Sequence, residues 1–597
     1  MQGAWHSSFG ERKTLTQQSA CLDNPHANIL KLTFPYNEEA IPRVKEIPGR
    51  QFIKSGKCWL FPPSLNSIAT VKQLFPSVTL TESVAALEKL FHVEQSRIQA
   101  VFLERSGFPA PDADRSVIKA YKDRIRKLLI RDFGWRDDDK TGFIRNIDLY
   151  PNQLYGLLHL LSSREHALLW QPGCMKTMAL VAAMAYRLYK RQARRILIIC
   201  PLAVNRVWRE AIHAHSRLRY SVIAGDPDDR RSALSADAPI DIIHYDALRI
   251  HEDDLIKRQY DMVVCDESQR IKTASAQRSQ VAYKLGAVAS FRAIASGTAI
   301  SQSQADIFGQ YKFLDCGATF GTLIGAFRER YFHKLPGLSF DKYVFLERKQ
   351  TEFTNLIYAK ATRFLLRECA DLPEVVTQPY EVNLTADQWK VYKTLKRELV
   401  IRFTEGTVSA KNILTEIVKL NQIASGFVMT QEGKTVELPS NAKLAAIDEI
   451  CEDHITNDNK LVIWCYFRWD IERLMRHLTK YRPVCAYGAT RGAGTDASID
   501  SFKTDANCKI MIANPQSIGL GQNFAAVSNT CCFYSRDYSL DNYEQGWRRL
   551  LRVPQNRTVL VINMIATGTI DENIARSHER NQDASDEVLN NWPRILK

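Results

Sequence analysis

Short apolar runs rich in Ile, Val and Leu alternate with amphipathic helical stretches from about residue 146 onwards. The first set of runs consists of ALLW (167–170), ILIIC (196–200), DIIHY (241–245), DMVVC (261–265) and FRAIAS (291–296). Strands that are apolar throughout and are separated by helices predict a parallel sheet covered on both faces.

A second set of the same kind follows a mainly helical region at about 315–440. It consists of KLVIWCY (460–466), RPVCAYG (482–488), CKIMIAN (508–514), NTCCFYS (529–535) and TVLVINM (558–564). Two successive α/β sets predict two parallel-sheet lobes with a cleft between them.

The residues before 146 follow a different pattern. The segment from about 28 to 92 reads as strand, short helix, turn at Pro48-Gly49, strand, turn, strand around Trp59, and helix. This order predicts a small α+β domain. The predicted division of the chain is 1–25 disordered tail, 26–92 accessory domain, 93–145 helical connector, 146–318 first lobe, 319–440 helical insertions and interlobe region, 441–580 second lobe, and 581–597 C-terminal tail.

Composition adds an expected partner and compartment. The 597 residues carry a net charge of +14, which favours a polyanion such as nucleic acid. The 13 cysteines include no CxxC pair, so they predict free thiols in a reducing compartment and no structural metal. The polar N-terminus and the lack of a run of roughly 20 apolar residues predict no signal peptide and no membrane contact. We therefore expect a cytoplasmic protein, nucleoid-associated or, if phage-encoded, in the host cytoplasm.

A candidate phosphate-binding loop follows the first strand. QPGCMKT (171–177) lies between ALLW and a helical run, so backbone N–H groups and a helix N-terminus can meet phosphates there. Gly173 gives the turn, Lys176 is the candidate for neutralising the β- and γ-phosphates, and Thr177 is the candidate Mg²⁺ ligand. The general pattern has glycines where this chain has Trp170 and Met175, so that only Gly173 remains.

Two further strand ends in the first lobe carry polar groups. Asp266 and Glu267 follow DMVVC, where paired acids suit Mg²⁺ binding through water by Asp266 and activation of the attacking water by Glu267. The SGT triplet at 296–298 begins at the last residue of FRAIAS and can couple the lobes through hydroxyl hydrogen bonds. Read singly, each motif also fits an ordinary turn.

The second lobe offers a loop and a basic stretch. Ser517 and Gly519, after CKIMIAN, are candidates for approaching a DNA phosphate backbone or the nucleotide. In YEQGWRRLLRVPQ, Arg549 and Arg552 lie three residues apart, which predicts one helical face, with Gln545 one turn earlier. Arginines from a second lobe can act as fingers that stabilise transition-state charge, whereas the alternative is a basic surface helix.

The order of these motifs resembles the Swi/Snf family of superfamily-2 ATPases over about residues 146–580. The resembling blocks are LYPNQ (149–153), ILIICPLAVNRVW (196–208), IIHYDAL (242–248), the DEAH-like CDESQRIK (265–272), SGTAI (296–300), QSIGLGQNF (516–524), the run from Gln545 to Gln555, and TGTIDENI (567–574). The resemblance implies two RecA-like lobes that use ATP and Mg²⁺, with Gln153 reading adenine and Gln545 near the nucleotide. It departs from the family at Met175 and at Arg548, where the family has glycine.

The N-terminal segment is similar to the HARP-like domain of annealing helicases. Ile-Pro-Gly at 47–49 and Trp59 carry this likeness. It implies an accessory domain that binds DNA structures, with Trp59 as a DNA-contacting residue; the alternative is a small packing domain without a ligand.

Together these features predict a DNA-dependent ATPase that translocates on double-stranded or forked DNA. Two alternatives remain open from the sequence. Met175 also fits a nucleotide-gated DNA-binding scaffold with weak turnover, and the same motif classes occur in RNA helicases. No protein partner is indicated.

Overall fold

The chain forms two compact units, 1–369 and 370–597. The computed structural model describes residues 20–26, 29–34, 38–45, 47, 50–110, 112–135, 148–300, 303–334, 343–369, 372–404, 410–430, 434–488, 493–518, 522–552 and 554–579. Among these residues, no helix has both the length and the apolar character that a membrane crossing requires. The thirteen cysteines are all free thiols, and most are buried.

The first unit begins with a small five-stranded domain. Its strands are β1 (Cys21–His26), β2 (Ile29–Thr33), β3 (Gln51–Ile53), β4 (Cys58–Phe61) and β5 (Thr79–Leu80), and its helices are α1 (Ala40–Val44) and α2 (Leu65–Leu74). The sheet order is β3-β4-β2-β1-β5, antiparallel except for the β1–β5 pair. The predicted α+β domain is therefore present.

The disordered tail predicted for 1–25 is wrong at its C-terminal end. Residues 21–25 form most of β1, which pairs with both β2 and β5, and Leu22 is fully buried in the domain core. The turn-forming pair Asn24-Pro25 conceals this strand in the sequence. Residues 1–19 lie outside the described residues.

The predicted helical connector packs against the first lobe. Its helices are α3 (Glu82–Leu103) and α4 (Arg115–Phe133), joined by a 3₁₀ turn (Glu104–Gly107). The boundary predicted between residues 92 and 93 is wrong, because α3 runs through it. Residues 136–145 of the predicted connector lie outside the described residues. Glu94 of α3 accepts a 2.5 Å hydrogen bond from the backbone of Arg164. Arg105 pairs with Glu368 at 3.0 Å and stacks over the Phe364 ring. The connector is thus part of the unit's core and not a free linker.

The first lobe is a seven-stranded parallel sheet. Its strands are β6 (Glu165–Leu168), β7 (Ile196–Cys200), β8 (Tyr220–Ile223), β9 (Ile240–His244), β10 (Met262–Asp266), β11 (Phe291–Ala295) and, after the hairpin β12 (Phe332–Lys334) and β13 (Tyr343–Phe345), β14 (Ala361–Thr362). Its order is β14-β6-β11-β10-β7-β9-β8. The five strands predicted in this region are confirmed, and their central positions are fully buried, as apolar runs require.

Helices connect these strands. They are α5 (Pro151–Ser162), α6 (Lys176–Tyr189), α7 (Asn205–His215), α8 (Pro227–Ser235), α9 (Glu252–Arg258), α10 (Gln277–Val288), α11 (Asp306–Asp315), α12 (Ile324–Tyr331), α13 (Gln350–Tyr358) and α14 (Leu366–Cys369). The lobe extends beyond its predicted end at 318, because β14 pairs with β6. A strand of two residues leaves no periodic signal in a sequence.

The second unit contains a six-stranded parallel sheet of order β15-β22-β21-β18-β20-β19. Its strands, with the hairpin β16–β17, are β15 (Val375–Val382), β16 (Phe427–Met429), β17 (Thr435–Glu437), β18 (Leu461–Trp464), β19 (Val484–Ala486), β20 (Ile510–Ala513), β21 (Thr530–Phe533) and β22 (Val559–Ala566). Its helices are α15 (Ala386–Thr404), α16 (Ala410–Ala424), α17 (Ala442–His454), α18 (Arg468–His477), α19 (Ala493–Thr504), α20 (Leu540–Trp547) and α21 (Ile570–Glu579).

All five strands predicted for this lobe are confirmed. The region assigned to helical insertions, 319–440, also contributes β15, which pairs in parallel with β22 over eight residues. The second lobe therefore begins before its predicted start at 441. The predicted fold class, two parallel-sheet lobes plus a small N-terminal α+β domain, is confirmed.

Candidate active site in the first lobe

Three neighbouring strands of the first sheet end at the same edge and carry the predicted chemistry. β6, β11 and β10 are adjacent and parallel, so their C-terminal ends lie side by side. The loop before Lys176 follows β6, the SGT triplet follows β11, and Asp266 ends β10. The carboxyl edge of a parallel sheet is where ligands bind in open α/β folds. Residues far apart in sequence are thus brought into one site.

The phosphate loop turns sharply through two residues with positive φ. Gly173 has φ +94°, and a Cβ there would lie 2.9 Å from the Leu366 side chain. Met175 has φ +55° and ψ +43°, the left-handed region that disfavours side chains, and it caps the start of α6. The backbone at position 175 is therefore left-handed, as at the second glycine of the general pattern, although the residue there is methionine.

Side chains of α5 hold this loop from behind. Asn152 donates from Nδ2 to the Cys174 carbonyl at 2.8 Å, and Gln153 donates from Nε2 to the Met175 carbonyl at 3.2 Å. Gln153 also accepts a hydrogen bond from the Tyr150 backbone at 2.9 Å, and it is almost wholly buried. In this structure Gln153 braces the loop, while its adenine-reading role stays a prediction.

Lys176 and Thr177 form the first turn of α6. The Lys176 ammonium donates to the carbonyls of Trp170 at 2.8 Å and Gln171 at 3.4 Å, so it points back into the loop. Thr177 is half-buried beside it. A phosphate group held by the loop would exchange these carbonyl contacts of Lys176 for charge-assisted ones.

Asp266 and Glu267 adjoin the lysine. Asp266 is buried and accepts hydrogen bonds from Trp208 Nε1 at 2.9 Å and from the Glu267 backbone at 3.0 Å. The pKa of Asp266 is raised to about 6, because burial and repulsion from Glu267 outweigh the attraction to Lys176 and the two hydrogen bonds. The carboxylate oxygens of this acid pair are ligands of the kind that Mg²⁺ takes, whereas the Lys176 ammonium is suited to phosphate oxygens.

A hydrogen-bonded chain joins the acid pair to the SGT triplet. The side-chain amide of Gln269 donates from Nε2 to Glu267 Oε2 at 2.8 Å. The Oε1 of the same amide accepts from Ser296 Oγ at 2.8 Å. Ser296 also caps the backbone of Thr298, and a Cβ on Gly297 would lie 2.6 Å from Pro172 of the phosphate loop. The three strand ends therefore contact one another directly.

A second, fully buried bridge runs parallel to the first. Ser268 donates to Gln310 Oε1 at 2.7 Å, and Gln310 donates from Nε2 to the Ala299 carbonyl at 2.6 Å. Gln310 has no counterpart among the sequence predictions, because it lies inside the apolar pattern of α11. Asn152 and Trp208 were likewise missed as site residues, although both stand inside motifs that the resemblance identified.

The second lobe places its predicted residues differently. Arg549 is buried, and its Nη2 donates to the carbonyls of Pro515 at 2.9 Å and Ile518 at 2.7 Å, so it holds the loop that contains Ser517. Arg552 is half-buried and donates from Nε to the Arg548 carbonyl at 3.1 Å.

The single helical face predicted for the two arginines is wrong. α20 ends at Trp547, so Arg549 and Arg552 lie beyond the helix, whereas Gln545 lies within it and is half-buried. Gln555 lies beyond the helix as well, and it donates to the carbonyls of Ser528 and Leu550. Ser517 is half-buried after β20, and Gly519 lies outside the described residues.

Trp59 does not line a DNA-binding surface. It is buried in the core of the N-terminal domain, where its ring packs against Phe52 at 5.0 Å between centroids. The prediction that Trp59 contacts DNA is therefore wrong, because the aromatic ring serves the small core. Within the HARP-like stretch, Pro48 and Gly49 lie outside the described residues.

Comparison with known proteins gives a consistent family match. The model of the SNF2-related domain matches residues 153–426. A putative protein p41 of Acyrthosiphon pisum secondary endosymbiont phage 1 is 24% identical over 443 residues, covering 71% of this chain and 94% of that protein. The Caenorhabditis elegans homologue of SWI/SNF-related matrix-associated actin-dependent regulator of chromatin subfamily A-like protein 1 is 21% identical over 551 residues, covering 90% of this chain and 71% of its own length.

The nematode match takes in residues before 153, because 90% of the chain cannot be covered without them. Among solved structures, the Sulfolobus solfataricus SWI2/SNF2 ATPase core in complex with dsDNA is similar with a TM-score of 0.36 and 20% identity, covering 74% of this chain and 92% of that one. The HARP-like assignment of the N-terminal domain stays a prediction.

Proposed function

We propose that the chain is an ATP-driven motor of the Swi/Snf-related branch of helicase superfamily 2 that moves along double-stranded DNA, because the model of the SNF2-related domain matches residues 153–426. The observation that carries the proposal is the meeting of Lys176, the acid pair and Ser296 at the ends of three adjacent strands. The net charge of +14 supports a polyanionic track.

The residues present fit ATP with Mg²⁺. Lys176 and Thr177 would hold the phosphates and the metal, and Asp266 would bind the metal through water. The bound nucleotide supplies the phosphoryl bond whose cleavage drives the cycle. Glu267 would orient the attacking water and accept its proton, with Gln269 fixing the direction of its carboxylate.

Of the two predicted fingers, Arg552 fits the role better. Arg549 is committed to two carbonyls of its own lobe, and releasing it would leave both acceptors buried without their donor. Arg552 donates from Nε to the Arg548 carbonyl and is partly exposed, so its side chain is not enclosed by its own lobe as that of Arg549 is. Ser517, on the loop that Arg549 holds, is the candidate contact to a DNA phosphate.

The scaffold alternative loses support from the loop geometry. The scaffold alternative rests on Met175 standing where the general pattern has glycine. Met175 nevertheless adopts the left-handed conformation that a glycine would supply. Asn152 and Gln153 bind the carbonyls on either side of this bend. The left-handed bend at position 175 is therefore formed with methionine in place, which supports a phosphate-binding role for the loop.

The test is ATP hydrolysis by the full chain with duplex DNA, forked DNA, single-stranded DNA and RNA. We expect stimulation by duplex or forked DNA, and loss of hydrolysis in Lys176→Ala. Lys190→Ala is the matched control, because Lys190 caps the other end of the same helix. Displacement of a third strand from a DNA triplex then reports movement. Full activity in Lys176→Ala, or stimulation by RNA alone, would overturn the proposal.

A further inference from the structure

We propose that Trp208 is a positioning residue for Asp266, and that its indole N–H fixes the carboxylate in the orientation that metal binding requires. This inference rests on the proposed function, since it concerns the residue that would face Mg²⁺. Trp208 lies on α7, the helix that follows β7, and β7 pairs with β10, which ends at Asp266.

The contact has the geometry of a directed hydrogen bond. Trp208 is fully buried, and its Nε1 donates to Asp266 Oδ2 over 2.9 Å. The other carboxylate oxygen, Oδ1, accepts the Glu267 backbone N–H over 3.0 Å. Each oxygen thus has one fixed donor, so the plane of the carboxylate is set from two sides. Its remaining lone pairs are available to a metal-bound water.

The indole suits this task better than most side chains. An indole N–H donates and cannot accept, so it can only address an acceptor oxygen. The helix that carries the indole is anchored, because the start of α7 is joined to the end of β7 by the 3.0 Å contact between Cys200 Sγ and Asn205 Oδ1. Ligands to a metal are commonly oriented by such outer hydrogen bonds, and their loss typically costs 10- to 100-fold in metal affinity.

A second contact fixes the same aspartate through its backbone. The Tyr245 hydroxyl donates to the Asp266 carbonyl over 2.8 Å. Tyr245 therefore holds the main chain at the strand end, whereas Trp208 contacts the carboxylate of the same residue. Removing the indole N–H should free the carboxylate without moving the strand.

The experiment compares nucleotide binding, not turnover, in Trp208→Phe and the wild-type chain. A fluorescent ATP analogue is titrated with Mg²⁺ and, separately, in EDTA. We expect the Mg²⁺ concentration for half-maximal binding to rise about tenfold in Trp208→Phe, while affinity in EDTA stays within about twofold. Tyr260→Phe is the matched control, because Tyr260 also donates to a buried aspartate of this sheet, Asp241, at 2.7 Å.

Replacing Trp208 by benzothienylalanine keeps the ring shape, removes only the N–H, and covers the case in which Trp208→Phe does not fold. The proposal is overturned if the Mg²⁺ requirement is unchanged in the folded variant, or if Tyr260→Phe raises it equally. It is also overturned, together with the proposed function, if the wild-type chain shows no Mg²⁺-dependent binding. Magnesium-dependent binding in the wild type with no shift in the variant defeats this inference alone.

Discussion

Gln153 donates a 3.2 Å hydrogen bond to the carbonyl of Met175, a residue held in left-handed backbone geometry at φ +55°. That geometry costs a residue with a side chain about 1–2 kcal/mol relative to the right-handed one. The bracing from α5 therefore maintains a bend that methionine by itself would avoid. The sequence marked both residues, but only the structure joins them.

Substitutions at Met175 should separate backbone strain from side-chain chemistry. Met175→Gly removes the strain, so we expect the free energy of unfolding to change by less than about 1 kcal/mol, with the gain offset by the entropy of glycine in the unfolded chain. Met175→Val should lower it by about 1–3 kcal/mol, because β-branched residues fit this region worst. Urea denaturation measures the unfolding free energy of both variants, and ATP titration measures their nucleotide affinity. A valine variant as stable as the wild type would contradict the strain, and a sharp rise in turnover in Met175→Gly would revive the weak-ATPase scaffold.

The chain from Ser296 through Gln269 to Glu267 should control hydrolysis and not binding. Ser296→Ala removes the donor to Gln269 Oε1, so the amide that orients Glu267 can rotate. We expect DNA-stimulated turnover to fall about tenfold, the effect of about 1.4 kcal/mol in the barrier, with ATP affinity unchanged.

Ser221→Ala is the control for Ser296→Ala. The Ser221 hydroxyl also donates a 2.9 Å hydrogen bond in this lobe, to the Ala233 carbonyl, but it lies on the edge strand β8. Equal losses of turnover in the two variants would mean that the effect is general destabilisation.

Strand positions could be predicted because strands buried on both faces leave continuous apolar runs, and ILIIC became β7 without adjustment. The acid pair and the phosphate loop could be placed because each directly follows such a run. The edge strands β14 and β15 escaped prediction for the opposite reason. β14 has two residues, and the middle of β15 is largely exposed, so neither carries an apolar run.

Roles that depend on long-range burial could not be predicted. The run from Gln545 to Gln555 looks like a basic helix, and nothing local shows that Arg549 turns inward to the Pro515 and Ile518 carbonyls. Trp59 illustrates the same limit, since an aromatic residue in a small domain serves its core as readily as a ligand. Gln310 is hidden among the apolar positions of α11.

The two arginines of the second lobe should therefore respond differently to truncation. Arg549→Ala leaves two buried carbonyls without their donor, so we expect the second unit to lose about 2–4 kcal/mol of unfolding free energy. Arg552→Ala should change stability by less than about 1 kcal/mol, because the side chain is partly exposed, and should reduce turnover strongly if it is the finger. Thermal denaturation and ATPase rates check the pair. A stable, inactive Arg549→Ala variant would reverse the assignment.

The first lobe should lose stability in acid because of a buried histidine pair beneath the phosphate loop. The rings of His159 and His166 stack at 4.8 Å, and His166 Nε2 contacts Thr362 Oγ1, which also accepts from Trp170. Burial lowers the pKa of His166 to about 3 and also lowers that of His159. In mild acid the two histidines therefore stay neutral in the folded chain, whereas the same histidines take up protons in the unfolded chain.

The loss should begin as the pH falls through about 6.5, the ordinary histidine value, and continue towards the folded-state pKa near 3. For His166 alone the free energy of unfolding should be about 2 kcal/mol lower at pH 5 than at neutral pH. His166→Gln should abolish this loss of unfolding free energy between neutral pH and pH 5. His333→Gln should leave it unchanged, because His333 is exposed on β12. Urea denaturation at pH 7 and pH 5 measures the difference. If His166→Gln and the wild type lose equal stability between these values, protonation of the buried pair is not what limits the lobe in acid.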